Sequence, residues 1–164
     1  MTLPDDLLEQ ARHLARRERK RPKQASLRRA VSTAYYALFH LLIAETVRNW
    51  RRPEERNILA RMFEHVVMRN ACDKTRQELD DYFKAGPKPG PNLLTAQHLH
   101  LIAKTFVTMQ QWRHAADYDG SRHWTRTQAL ESVDLVAEAF QSWKAIRNEP
   151  VAQDFLVTLL LRKR

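Results

Sequence analysis

Residues 27–45 read LRRAVSTAYYALFHLLIAE, from Leu27 to Glu45, and the periodicity of this stretch decides the class of fold. Leu27, Ala30, Val31, Ala34, Tyr35, Leu38, Phe39, Leu42 and Ile43 recur at three- and four-residue steps, which places them on one face of an α-helix. The stripe is wide, so the helix needs neighbours on more than one side. It is predicted to run from about Gln24 to Trp50. No alternation of period two competes with this pattern along the chain.

Working outward, a first helix is expected from Pro4, a residue suited to the first helical turn, to around Pro22, with Asp5 and Asp6 placing negative charge at its start. A third is expected from Pro53 to about Asn70, carrying Ile58, Leu59, Met62, Phe63 and Val66. A shorter helical piece with Leu79, Tyr82 and Phe83 follows and stops at Gly86. The three prolines of residues 86–91 exclude a helix and predict a surface loop. A fourth helix then runs from Asn92 to Arg113 or beyond. A second break spans Asp117 to Arg122. Thr125 and Gln128 have the spacing of a capping box and start a fifth helix, and a final short one covers Ala152 to Leu161. The predicted fold is an all-α, up-and-down bundle of about five helices with a short C-terminal helix, residues 1–148 forming the bundle and 149–164 a helical tail.

Composition agrees. Only three of 164 residues are glycine, as expected of a chain dominated by helix. That length is about one domain and is enough to bury a core without disulfides or metal. Cys72 is the single cysteine, which rules out an intramolecular disulfide and suits a reducing, cytoplasmic setting. Met1 to Asp6 lacks the basic and apolar regions of a signal peptide. The most apolar tail, Phe155 to Leu161, is far shorter than the roughly 20 residues a membrane helix needs, so no membrane partner is expected.

The net charge is +9, from 28 basic and 19 acidic residues. Residues 1–56 hold 13 Lys/Arg against 7 Asp/Glu, centred on the run Arg16-Arg17-Glu18-Arg19-Lys20-Arg21-Pro22-Lys23. Such an excess favours polyanions through counterion release; its plainer role is a solvated helix end whose cations complement the macrodipole.

Two polar constellations stand out. Ser32, Tyr36 and His40 are four residues apart on one face of the second helix, with Arg28 one turn above and Arg29 beside it. On the fourth helix, Gln110, Arg113 and Asp117 share a face and Tyr118 follows. Either Arg113 and Asp117 form a surface pair worth only ~0.3–0.5 kcal/mol, or the carboxylate aims a planar guanidinium at phosphate. His98 and His100 point to different sides of a helix and lack a ligand spacing such as His-Glu-x-x-His, so no metal is assigned. No glycine-rich phosphate loop or nucleophile elbow occurs, and no cofactor is expected.

The stretch from Ser26 to His40 resembles the second-helix signature of the HEPN family, the "higher eukaryotes and prokaryotes nucleotide-binding" domain. Arg113-His114-Ala115-Ala116-Asp117-Tyr118 resembles the R-x-x-A-D-Y ending of the fourth helix in one branch of that family. The resemblance covers residues 1 to about 148. It implies a bundle that pairs as a homodimer and is often encoded beside a minimal nucleotidyltransferase in a prokaryotic toxin–antitoxin or defence module. In active members, an arginine followed by a histidine after four to six residues forms a metal-independent endoribonuclease site at the dimer interface. There the arginine steadies phosphorane charge while the histidine moves protons.

None of the seven histidines here follows an arginine at that spacing; Arg61 and His65 have three residues between them, Arg113 and His123 nine. Around the place where the motif would put its histidine after Arg113 stand Asp117, Tyr118 and Asp119. Three readings remain. The first is a HEPN-like protein that binds RNA, a nucleotide or a nucleotidyltransferase partner without classical ribonuclease chemistry, with Arg113, Arg28, Arg29, Ser32 and Tyr36 as binding residues. The second is a rearranged endoribonuclease drawing on Arg113, Asp117, Tyr118 and His40, with His114 and His123 as further candidates. The third is a non-catalytic helical scaffold.

Overall fold

The computed structural model describes residues 1–86 and 89–162. Among these the chain forms seven α-helices and no strand, an all-α helical bundle. The helices are α1 (Leu3–Ala15), α2 (Gln24–Arg48), α3 (Arg56–Ala60, after a 3-10 turn at Pro53–Glu55), α4 (His65–Lys84), α5 (Leu93–Tyr118), α6 (Arg126–Ile146) and α7 (Pro150–Thr158).

Two compact units divide the chain: Met1–Leu41 with Thr108–Phe140, and Leu42–Val107 with Gln141–Arg164. In the first, α1, the first part of α2, the end of α5 and most of α6 bury Ala11, Leu27, Val31, Tyr35, Leu38, Met109, Trp124, Val133 and Val136. Removing a side chain such as Leu27 or Val31 from water stabilises by roughly 1.5–3 kcal/mol, so the α2 stripe contributes strongly to this core. In the second, Met68, Cys72, Leu99, Ile102, Phe106, Trp143, Phe155 and Leu156 are buried. The tail helix α7 belongs to this unit, with Ala152, Phe155 and Leu156 inside.

Several boundaries differ from the sequence expectation. Helix α1 stops at Ala15, well before Pro22. Continuing it would stack Arg16 over Lys20 and Arg17 over Arg21, like charges one turn apart, and drive the Pro22 ring against the Glu18 carbonyl. Arg126 instead reaches in from α6, donating from Nε to the Ala15 carbonyl at 3.2 Å, from Nη1 to Arg19 at 3.4 Å and from Nη2 to Glu18. The basic run is therefore a loop that starts at the C-cap residue Arg16 and follows the end of α1, where its cations still complement the macrodipole.

The helix expected over residues 53–70 is broken at 61–64. Arg61 and Met62 donate to Ile58 and Leu59 in tight 3-10 fashion, and Glu64 is extended. The turn buries Phe63 but leaves Ile58, Met62 and Val66 more than 60% exposed, so apolar spacing there does not mark a buried face. The short piece around Leu79 is instead the end of the 20-residue α4. It stops where expected, with Gly86 at a left-handed φ of 75°. Within the loop expected at 86–91, Pro87 and Lys88 lie outside the described residues, as do the last two residues of the tail.

Both sides of the capping box form: the Gln128 amide accepts from Thr125 N–H at 3.0 Å and the Thr125 hydroxyl from Gln128 N–H at 3.1 Å. By length and composition α2, rather than the tail, is the segment apolar enough to cross a membrane. Yet 61% of its most apolar window is buried inside the protein, as in a core helix.

Candidate functional site

The polar residues singled out on α2 and α5 all fall in the first unit, and the structure sorts them into three groups. The first is a lock between the two helices. Ser32 is 2% exposed, and its hydroxyl donates to Oδ1 of Asp117 at 2.5 Å. The other carboxylate oxygen of Asp117 lies 3.7 Å from Nη1 of Arg113, one turn back on α5. The Arg113 guanidinium sits 5.2 Å from the ring centroid of Tyr35, itself fully buried, in a cation–π contact. The Arg113 side chain is only 11% exposed, and its Nε is buried without a hydrogen-bond partner. The pair is thus more desolvated than the surface bridge that spacing alone suggests, and its arginine faces protein.

The remainder of the α2 strip adjoins this group through Tyr36, whose ring meets that of Tyr35 edge-on at 5.4 Å. Tyr36 and His40 are half-buried, with ring centroids 6.4 Å apart, and His40 also meets Phe39 edge-on at 5.4 Å. Among the described residues no hydrogen bond or ion pair links His40 to Arg113 or Asp117. Burial lowers the His40 pKa by penalising its charged form, which keeps the ring neutral at pH 7.

The third group surrounds the end of α5. Arg28 donates from Nη1 to the Ala116 carbonyl at 2.9 Å and from Nη2 to the Arg122 carbonyl at 2.5 Å. It satisfies carbonyls that a helix end and loop leave without partners, so its fork is spent on main chain. Gln24 clamps Trp124 from both sides, its amide nitrogen donating to the Trp124 carbonyl at 2.7 Å and its oxygen accepting from Trp124 N–H at 2.9 Å. The Arg122 guanidinium carbon lies over the Trp124 ring, 3.9 Å from its centroid. Asp119 accepts from the Ser121 hydroxyl and N–H, which hold its carboxyl below the usual range.

Tyr118 closes α5 at 70% exposure, its ring 5.0 Å from that of the exposed His114. Arg29 is exposed and makes no hydrogen bond or ion pair among the described residues. Of the candidates, then, Ser32, Arg113 and Asp117 come together, Tyr36 adjoins them through Tyr35 and carries His40 beside it, and Arg28, Arg29 and Tyr118 take other positions.

Glu18, Gln24, Trp124 and Arg126 were not among the candidates. Gln24, Trp124 and Arg126 act through partners about one hundred residues away, and Glu18 through a turn in the loop, none of which periodicity reveals. No three His, Cys, Asp or Glu side chains among the described residues converge as a metal site would require. His98 turns to Ser142 at 3.1 Å and His100 to Asp80 at 2.8 Å. A cavity of about 500 Å³ occurs in the second unit, lined by Val67, Ala71 and Lys74 of α4 and by Thr158 and Leu161. No candidate residue lines it. No family model, no curated protein and no solved structure matches the chain.

Proposed function

We propose that the chain is a HEPN-like protein that binds RNA without the arginine–histidine ribonuclease chemistry of that family's active members. The observation that carries this reading is the placement of Arg113. The arginine to which the resemblance assigns phosphorane stabilisation lies on Tyr35, faces Asp117 and is 11% exposed. A guanidinium so engaged has little capacity left for a transition-state oxyanion, which needs donors aimed at the developing charge. The net charge of +9 supports a polyanionic ligand. The wider setting we propose is a prokaryotic toxin–antitoxin or defence module in the cytoplasm, with a second copy of the chain and a minimal nucleotidyltransferase as partners.

Incubation of the purified protein with labelled RNA and a chelator tests this. Retention of intact RNA, weakening steeply with salt, is the expected result. Cleavage that disappears on replacing His40, His114 and His123 would restore the ribonuclease reading.

The Ser32–Asp117–Arg113 lock also favours a second reading, a scaffold whose polar residues serve only to fix helices. That reading requires the protein to bind no RNA at all.

A further inference from the structure

We infer that the loops at residues 16–23 and 118–125 form one surface that takes single-stranded RNA, holding phosphates on cations and stacking a base on Tyr118. This rests on the RNA-binding reading and gives it a place on the molecule.

The first loop presents Arg16, Arg17, Arg19, Lys20, Arg21 and Lys23, all exposed. None of these six forms an ion pair among the described residues. The one acid in the run, Glu18, is turned onto its own loop. It accepts from the Ser26 hydroxyl at 2.7 Å and from Lys23 N–H at 3.3 Å, and the Ser26 bond lowers its pKa. Asp119 is likewise occupied by Ser121. Among the described residues neither acid forms an ion pair with the six cations, which far outnumber Glu18 within the run, and a strand that neutralises them releases its own counterions.

The surface is also built before any ligand arrives. Arg126 fixes the loop through the carbonyls of Ala15, Glu18 and Arg19. Gln24, directly after Lys23, grips Trp124 of the second loop, and Arg28 grips Arg122. Backbone ordered in advance reduces the entropy lost on binding. A solvated charge run has no need of such bracing.

An aromatic face completes it. Tyr118 is 70% exposed, leads directly into the second loop and is backed by His114. Stacking on an aromatic ring requires a base freed from its own helix, which selects single strands over duplex.

Fluorescence anisotropy with a labelled 12-residue oligouridylate, across a salt series, tests the inference. Six phosphate contacts on a single strand predict a log–log salt slope of about −4. The variant Arg17→Ser, Arg19→Ser, Lys20→Ser, Arg21→Ser should keep its melting temperature, bind at least about 10-fold more weakly, and show a slope shallower by about 3. Tyr118→Ala should weaken oligouridylate by about 10-fold and leave an RNA duplex of equal length unaffected.

If wild-type protein binds no RNA, the RNA-binding reading falls and this inference with it. If wild type binds and the loop variant binds equally well, RNA binding stands and this surface is wrong. Equal losses for strand and duplex on Tyr118→Ala overturn the single-strand assignment. Competition by polyglutamate of matched charge as effective as by RNA would mark an acidic-protein surface and overturn the inference too.

Discussion

The Ser32 hydroxyl and the Asp117 carboxylate meet at 2.5 Å, from residues 85 positions apart, and this bond ties α2 to α5 within the first unit. On both helices the resemblance invites a search for catalysis; the bond gives these residues a mechanical role. Ser32→Ala removes the donor and leaves a partly buried carboxylate short of a partner, at about 1–3 kcal/mol. A loss of roughly 2–4 °C in melting temperature per kcal/mol is expected. Asp117→Asn should cost a similar amount, and the double variant little more than either single. Additive losses in that cycle would show that the two side chains do not act as one unit.

Arg113→Ala is predicted to act on stability and hardly on RNA. Removing the guanidinium vacates the face of Tyr35 and deprives Asp117 of its nearby cation. Thermal unfolding should report a loss of about 1.5–3 kcal/mol, while oligouridylate affinity changes less than about 2-fold. A large drop in affinity with unchanged melting temperature would place Arg113 in the binding surface instead.

His40 makes stability depend on pH in a definite direction. Burial lowers its pKa in the folded protein, so protons bind more readily to the unfolded chain, where the value is about 6.5. Stability is therefore fully present above about pH 6.5. It falls with acidification through the lower folded value. Melting temperatures from pH 7.5 to 5 should decline more steeply for wild type than for His40→Gln; parallel curves would mean that burial does not disfavour the charged ring.

Arg126→Lys keeps the charge but loses the planar fork that reaches three carbonyls. Trypsin should then cut faster within residues 16–23, and RNA affinity should fall although all six loop cations remain. An unchanged digestion rate would show that the loop holds its shape without this brace.

Cys72 is fully buried, and burial pushes its thiol well above the ordinary range, with Asp73 adding to the effect. Iodoacetamide at pH 8 should leave the native protein unlabelled and modify it only after unfolding. Rapid native labelling would place the thiol at the surface.

The helical class and the α2 core are legible in the sequence because a wide three-four stripe has one cheap way to be buried. The Thr125–Gln128 box and the Gly86 stop are legible for the same kind of reason, being local chemistry at fixed offsets. Where a distant side chain helps to close an element, local rules do not reveal it: Arg126 caps the Ala15 carbonyl at the end of α1 from more than one hundred residues away in sequence. Burial of Phe63 breaks the helix at 61–64 in a comparable way, since the side chain that wins is chosen by packing. At the site, spacing correctly placed Arg113 and Asp117 on one face but could not say which way that face looks. Tyr118 and the basic run drew notice as isolated features; that Gln24 and Arg28 knit their loops together is written only in three dimensions.

Delegating the end of α1 to Arg126 has a consequence for the composition of residues 16–21. A helix that must end itself locally usually calls on glycine or a left-handed residue, and no non-glycine residue among those described adopts a positive φ. With Arg126 bracing the carbonyls and Pro22 barring further helix, none of those positions has to be a glycine. They can be filled almost entirely with arginine and lysine, residues otherwise well suited to continuing it. The density of charge at this end of the unit is thus held in place by an α6 residue that is itself only half-exposed.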